Sequence, residues 1–211
     1  MSPSHTATQA KPRSIKPLIL LGLVCLAPVI LALLAYYMPG LGLRPTENTN
    51  YGTILSPQRP VPAPDQLKLT TLDGKPFDLQ SLRGKWLLVS ADASACPKAC
   101  ARKLFILRNS HASQGKNVER LKRISFVIDD GTIPDAVLEA YEGNVFLRAD
   151  PSQLAAFLTP DTPSEQQDAA LKAPMWIIDP LGNLMLQFPA DADPIKVRKD
   201  IAKLLFSSRI G

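Results

Sequence analysis

The 211-residue sequence predicts an α/β protein, a mixed sheet flanked by helices and preceded by one transmembrane helix. Three observations predict it. Leu18 to Met38 is a run of 21 residues without a charge; short apolar runs alternate with helical stretches from Leu67 onward; and the composition, 45% hydrophobic and 20% charged, is that of an ordinary globular domain. That composition excludes a collagen, a coiled coil and a fully disordered chain. A domain of this length buries enough core to stand without a disulfide scaffold, so its cysteines need another explanation.

The element order is read from the N-terminus. The apolar run, at 1.5 Å per residue, gives about 30 Å of helix, the thickness of a bilayer's hydrocarbon layer. Lys11, Arg13 and Lys16 precede it, only Arg44 follows closely, and Tyr36 and Tyr37 stand where an interfacial aromatic belt would lie. Residues 1–17 are then a cytoplasmic tail, 18–38 the transmembrane helix, and the body lies outside, in a bacterial periplasm or the equivalent mitochondrial space, the short tail favouring the bacterial inner membrane. A cleaved signal peptide is the rival reading, but the run exceeds the usual apolar region and lacks a small-residue cleavage site. Cys25 reads as a small apolar residue of the span. Residues 39–64, with Pro45, Pro57, Pro60, Pro62 and Pro64, read as an extended Pro-rich linker, and 65–211 as the folded domain.

Within that domain, Leu67 to Leu72, the Asp73-Gly74 turn and Phe77 to Leu79 read as a hairpin. Trp86 to Ser90 is a buried strand, Pro97 to about His111 a helix, and Ile124 to Ile128 a second buried strand. A helix over Pro134 to Tyr141, a short strand at Val145 to Leu147 and a helix from Pro151 to Leu158 follow; Thr159 to Ala173 is expected as an irregular loop. Met175 to Ile178 and Asn183 to Phe188 flank the Asp179-Pro180-Leu181-Gly182 turn of a second hairpin, and Asp193 caps a last helix with Pro194 in its first turn. Strands alternating with helices imply a sheet with parallel pairs covered on both faces, and the closing hairpin makes it mixed. This is the thioredoxin-like order.

Charge placement argues against nucleic acid as a partner. Of 24 basic residues four precede Glu47, the first acidic residue, so the rest of the chain sets 20 basic residues against all 19 acidic ones. A neutral body lacks the clustered basic face that phosphate binding needs.

The chemistry concentrates in Ser94-Ala95-Cys96-Pro97-Lys98-Ala99-Cys100, between a buried strand and a helix, at the sheet edge where open α/β folds keep their sites. Four residues apart on a regular helix, two Cβ atoms are about 5–6 Å apart, too far for an unstrained disulfide. Pro97 suits the first helical position and would make Cys96 the N-cap, free of helical angles. The helix N-terminus with Lys98, Arg102 and Lys103 nearby favours a thiolate, so Cys96 is expected to be the more reactive sulfur. An inert bridge or two reduced core cysteines is the bland alternative.

GKWLLVSADASACPKACARKL, preceded by LDGKPFDLQSLR and followed by WIIDPLGNL, resembles the Sco/SenC family of membrane-anchored thioredoxin-fold proteins that assist copper loading of cytochrome c oxidase. The similarity runs from about Leu67 to Phe206. It implies that Cys96 and Cys100 are the family's CxxxC, which binds copper or exchanges disulfides with the oxidase subunit that carries the dinuclear copper site. It also implies that Pro174 is a cis-proline directly before Met175-Trp176-Ile177-Ile178, the strand that faces the cysteine motif; an ordinary trans proline ending a loop is the alternative. Two departures stand out. Leu171 to Met175 lacks the family's copper-ligand histidine, and Ala101 replaces the proline after the second cysteine. His5 is expected across the membrane, and His111, eleven residues past Cys100, lies about 16 Å along the helix and reads as a surface residue. Trp176 reads as a packing residue.

Three functions remain. The first is thiol-disulfide exchange through Cys96 and Cys100, with Pro174 beside them, acting on a cytochrome c oxidase subunit or another assembly protein; it requires no cofactor. The second is Cu(I) carriage by the two thiolates of Cys96 and Cys100, with Met175 as a weak third donor, although Met175 reads more simply as a strand residue. The third is an anchored, non-catalytic binding module whose disulfide is a staple.

Overall fold

The computed structural model describes residues 15–38 and 50–210, and the chain divides into two compact units, one on each side of the undescribed residues 39–49. The first contains helix α1, Lys16–Tyr37, with Pro17 in its first turn and Pro28 inside. Its mean hydropathy reaches 3.0 over the best window and none of its residues is buried, so it is long and apolar enough to cross a membrane. The expected tail before residue 15 and the linker over 39–49 lie outside the described residues.

The second unit is one eight-stranded mixed sheet with helices on both faces. Its strands are β1 (Thr53–Pro60), β2 (Leu69–Thr71), β3 (Pro76–Phe77), β4 (Trp86–Asp92), β5 (Leu121–Val127), β6 (Val145–Ala149), β7 (Met175–Ile178) and β8 (Asn183–Phe188), in the spatial order β1-β8-β7-β4-β5-β6-β2-β3. β4 pairs parallel to β5 and β5 to β6, while all other pairs are antiparallel. The helices are α2 (Lys98–Ala112), α3 (Asp135–Ala140), α4 (Pro151–Leu158), α5 (Gln167–Lys172) and α6 (Pro194–Ser207).

β4 is buried along its whole length, and its alternation divides the core. Leu87, Val89 and Ala91 join Leu154 and Leu158 of α4 on one face; Trp86 and Leu88 join Ile106 and Leu107 of α2 and Val197, Ile201 and Leu205 of α6 on the other. By the same alternation Ser90 and Asp92 extend the α2 face. α6 starts as expected, Asp193 accepting from the N–H groups of Ile195 and Lys196 at 2.7 and 3.2 Å.

Two expectations are corrected. Part of the segment assigned to the Pro-rich linker is strand β1, which pairs with β8 from Thr53 opposite Gln187 to Pro60 opposite Asn183, with a register irregularity between Ile54 and Arg59. Its prolines are compatible with pairing because β1 is an edge strand and can leave N–H positions unused, and Pro57 falls in the irregular stretch. Just before it, the Gly52 N–H donates to buried Asp200 of α6 at 2.8 Å, and the Tyr51 hydroxyl accepts from Asp193 N–H at 3.0 Å. The second correction is the loop expected over Thr159 to Ala173, which contains a short 3₁₀ turn, Ser164–Gln166, and then α5. Good helix formers extend to Lys172, and the single fully buried Leu171 docks the helix, too little apolar signal to show as periodicity.

Candidate redox site at the start of helix α2

β4 delivers the chain to the site and ends at Asp92. A tight turn follows, the Cys96 N–H donating to Ala93 O at 3.1 Å, and Cys96 takes the left-handed conformation with φ of 43°. Pro97 is then the extended N-cap residue (φ −63°, ψ 174°), its carbonyl accepting from Ala101 N–H at 3.0 Å. The cap thus sits one residue later than the sequence suggests, on Pro97 rather than Cys96. The reason is local: the left-handed turn at Cys96 takes it off the helical path on which two sulfurs four residues apart could not meet. Cys96 and Cys100 are joined as a disulfide with Cα atoms 5.0 Å apart, inside the usual range. Cys96 is half-buried, whereas Cys100 is 6% exposed.

The loop before Cys96 is held from the side. Both carboxylate oxygens of Asp129, just past β5, accept from Ser94 N–H at 3.0 and 3.2 Å. Arg148 of β6 in turn ties down that acidic loop through Asp129 O and Gly131 O, each at 2.9 Å. Burial raises the Asp129 carboxyl, but the hydrogen bonds from Ser94 and Gly131 and the charge of Arg148 outweigh it and hold it below the usual range. Gly131 lies against this loop: a Cβ there would lie 2.1 Å from Ser94 Oγ and would have to turn that hydroxyl aside.

Behind the disulfide lies a buried ion pair. Lys103, one turn beyond Cys100 on α2, places Nζ 2.7 Å from Asp92 Oδ2, the two side chains being 6% and 11% exposed. The ammonium also donates to Ala91 O at 2.8 Å and to Lys172 O, the carbonyl at the end of α5. Burial pushes the Lys103 ammonium below its ordinary value, opposed by Asp92. Asp92, both cysteines, Ser90, Ser125 and Phe146 line one small cavity of about 20 Å³. On the outer side of the pair, Lys98, Arg102, Lys103, Lys172 and Asp191 border an open cleft of about 520 Å³.

The remaining expected site residues are placed as follows. Pro174 is buried and borders a different cavity, of about 370 Å³, with Arg59, Leu158 and Gln187; it does not line the sulfur cavity. Its peptide bond is trans, the ordinary-proline alternative rather than the cis geometry that the resemblance implies, and the one cis bond among the described residues is Ser56–Pro57. Trans is the ordinary state of an X–Pro bond, favoured by about 0.5–1 kcal/mol, and Ala173 leads into it from helical angles (φ −80°, ψ −55°) with its N–H on Ala169 O at 3.0 Å. Met175 and Trp176 are 1% and 0% exposed core residues of β7. His111 is half-buried in the last turn of α2 rather than on the surface; burial and then the Arg123 charge push its imidazole below the ordinary value.

As a copper site the residues offer two sulfurs, available once the disulfide is reduced. Among the described residues no group of three or more His, Cys, Asp or Glu side chains converges, so the set fits a two-thiolate Cu(I) cargo and does not fit a site with a third, histidine ligand. Asp92 was missed by sequence reasoning, and Lys103, expected only as positive charge beside Cys96, is instead buried and paired with Asp92, although a signal existed. Asp92 continues the Trp86, Leu88, Ser90 alternation, and Lys103 shares the buried helical positions of Cys100, Leu104 and Leu107.

A family model described as transmembrane-like, thioredoxin-like, C-terminal domain matches residues 86–208. No curated protein matches the sequence. Among solved structures, the apo Sco1 protein from Thermus thermophilus is similar with a TM-score of 0.54 and 20% identity, over 77% of this chain and 98% of its own. Arabidopsis thaliana ScoI with copper bound gives 0.52 and 14%, over 75% and 99%. BsSco, described as a member of the Sco family of cytochrome c oxidase assembly proteins with a disulfide switch, gives 0.52 and 18%, over 74% and 96%. At these identities the likenesses establish the thioredoxin-like fold.

Proposed function

The chain belongs to the transmembrane-like, thioredoxin-like family, and from that premise we propose that it is a membrane-anchored thiol-disulfide exchange protein acting through Cys96 and Cys100. The observation that carries this reading is the asymmetry of the pair: a disulfide at a helix start with one half-exposed sulfur and one buried sulfur. In the reduced protein Cys96 has the N-terminal backbone of α2 and exposed Lys98 and Arg102 nearby, with no acidic residue in the first turn, conditions that favour a thiolate. That thiolate attacks a partner disulfide, a mixed disulfide forms on Cys96, and Cys100 displaces the partner's second sulfur as the internal disulfide re-forms.

Helix α1 anchors the domain, which works in an oxidising space outside the cytoplasm such as the bacterial periplasm. The partner is an assembling cytochrome c oxidase subunit whose copper-site cysteines must be reduced before metal enters. The Sco-like fold and the disulfide support that assignment. Pro174 borders the neighbouring cavity and contributes by fixing the entry of β7. Cu(I) carriage by the two thiolates is the second reading, supported by the paired sulfurs and by the copper-bound Sco relative.

The test uses the full chain with Cys25 replaced by serine, so that the only thiols are those of the site. Cys96→Ser should abolish reduction of a partner disulfide, and Cys100→Ser should accumulate the covalent mixed species, read by mass. Equal and mild effects of both substitutions contradict exchange. Anaerobic titration separates the second reading: one Cu(I) retained per reduced chain, lost with either cysteine, supports carriage.

A further inference from the structure

Helix α6 carries a second apolar line, turned away from the one that packs in the core. At 3.6 residues per turn, Ile195, Ala202 and Phe206 fall on one line along the helix, and the buried Val197, Ile201 and Leu205 fall on another. Ile195 is 56% exposed and Phe206 89%, the most exposed large apolar side chain among the described residues. Arg198 flanks this outer line on one side and Lys199 on the other, both exposed. The acidic groups of the helix are engaged elsewhere: Asp193 accepts from the N–H groups of Ile195 and Lys196, and Asp200 is buried on Gly52 N–H. Among the described residues no carboxylate lies in ion-pair range of Arg198 or Lys199. The near-neutral balance of the body, from which no basic face is expected, therefore conceals a local one.

We propose that the outer face of α6 lies on a bilayer surface of anionic phospholipid, a second membrane contact that limits the orientations open to the anchored domain. The inference rests on α1 crossing a membrane and not on the exchange chemistry. An apolar line with cations on both flanks suits a helix lying in the interface. Phe206 and Ile195 enter the headgroup region, and the long cationic side chains reach back to the phosphates. The chain path brings lipid to this helix. The folded unit begins against α6, with Gly52 N–H on Asp200, the Tyr51 hydroxyl on Asp193 N–H at 3.0 Å, the Lys196 ammonium 5.2 Å from the Tyr51 ring centre and Lys203 Nζ donating to Asn50 Oδ1 at 3.4 Å. Asn50 follows Tyr37, the end of α1, by thirteen residue steps, which even fully extended span at most about 47 Å. A bilayer crossed by α1 is thus within reach of α6. Nucleic acid would engage the cations but leave Ile195 in water.

The test places the full chain, on the Cys25→Ser background with its disulfide intact, in lipid nanodiscs and reads depth from an environment-sensitive dye on a single new cysteine. Ala202→Cys puts the dye in the middle of the outer line, and Ala156→Cys puts it on the exposed side of α4, across the sheet. In phosphatidylglycerol-rich discs, lipid brominated on its acyl chains should quench the dye at 202 and not the dye at 156. Phosphatidylcholine discs or high salt should release it. Arg198→Gln with Lys199→Gln should lower the ratio of docked to free domain by about 30-fold, at about fivefold per cation. Phe206→Ser should lower it by about tenfold. A dye at 202 quenched no more than one at 156, or quenching that survives both the lipid exchange and the loss of the two cations, overturns the proposal. So does a spectral shift at 202 on adding single-stranded DNA to phosphatidylcholine discs without quenching in anionic ones, which assigns the face to nucleic acid. Each of these outcomes leaves exchange through Cys96 and Cys100 standing. A chain that does not enter the discs removes the anchor, and the docking falls with it.

Discussion

Asp92→Asn on its own isolates what the buried pair does for the fold. The substitution keeps shape and an oxygen acceptor but strands the Lys103 ammonium, 6% exposed, against two backbone carbonyls. Removing one partner of a buried pair costs about 3–5 kcal/mol. The loss has a ceiling, because Lys103 can shed its proton: from an ordinary lysine value to pH 7 is about 3.5 units, or about 5 kcal/mol. Burial already depresses Lys103 and the variant depresses it further, so the unfolded chain binds more protons than the folded one. The variant's stability therefore rises with pH, and its deficit against the parent narrows by up to about 1.4 kcal/mol per unit as pH climbs from neutral toward the parent's folded lysine value. Urea unfolding of the full chain in detergent reads this out through Trp86 and Trp176, 6% and 0% exposed. Adding Lys103→Met should recover most of the loss. A single variant within about 1 kcal/mol of the parent at pH 7 refutes the reasoning, as does a deficit identical at pH 7 and pH 9.

Three further outcomes are expected. Gly52→Ala places a Cβ 2.3 Å from Leu186 Cδ2 in the packed core beside β1, and should cost about 1–3 kcal/mol in the same unfolding assay if β1 belongs to the folded unit. Gly131→Ala brings a Cβ against Ser94 Oγ and should slow attack by Cys96 of the reduced chain on an aromatic disulfide more than it lowers stability, read by stopped-flow release of the coloured thiolate. His111 has a folded value below 6.5, so the unfolded chain takes up its proton first; stability should fall as pH drops from about 6.5 through the lower folded value, and His111→Gln should flatten that slope between pH 7 and 5.

Much of the fold is legible residue by residue. Asp193-Pro194 marks the start of α6, Pro151 the start of α4, and the Met175 to Phe188 hairpin falls where its turn residues put it. Each is a local signal, because the cap, the turn and the apolar run lie within a few residues of one another. The cysteine pair is legible for the same reason: CxxxC with an intervening proline carries its own geometry.

What the linear order left open is pairing between distant segments. Thr53 to Pro60 reads as a spacer because its prolines describe the isolated chain; it becomes a strand only because the edge of β8, more than a hundred residues later, offers it hydrogen bonds. Likewise Asp92 meets Lys103 because β4 and α2 pack face to face. Periodicity tells each residue whether it points inward, and the order of apolar runs, turns and caps is enough for an α/β chain with one N-terminal helix apolar enough to cross a membrane and a sulfur pair at a helix start. Which inward-pointing side chains meet is set by the packing of whole elements, whose energies are sums over contacts far apart in the chain, and that only the tertiary structure decided.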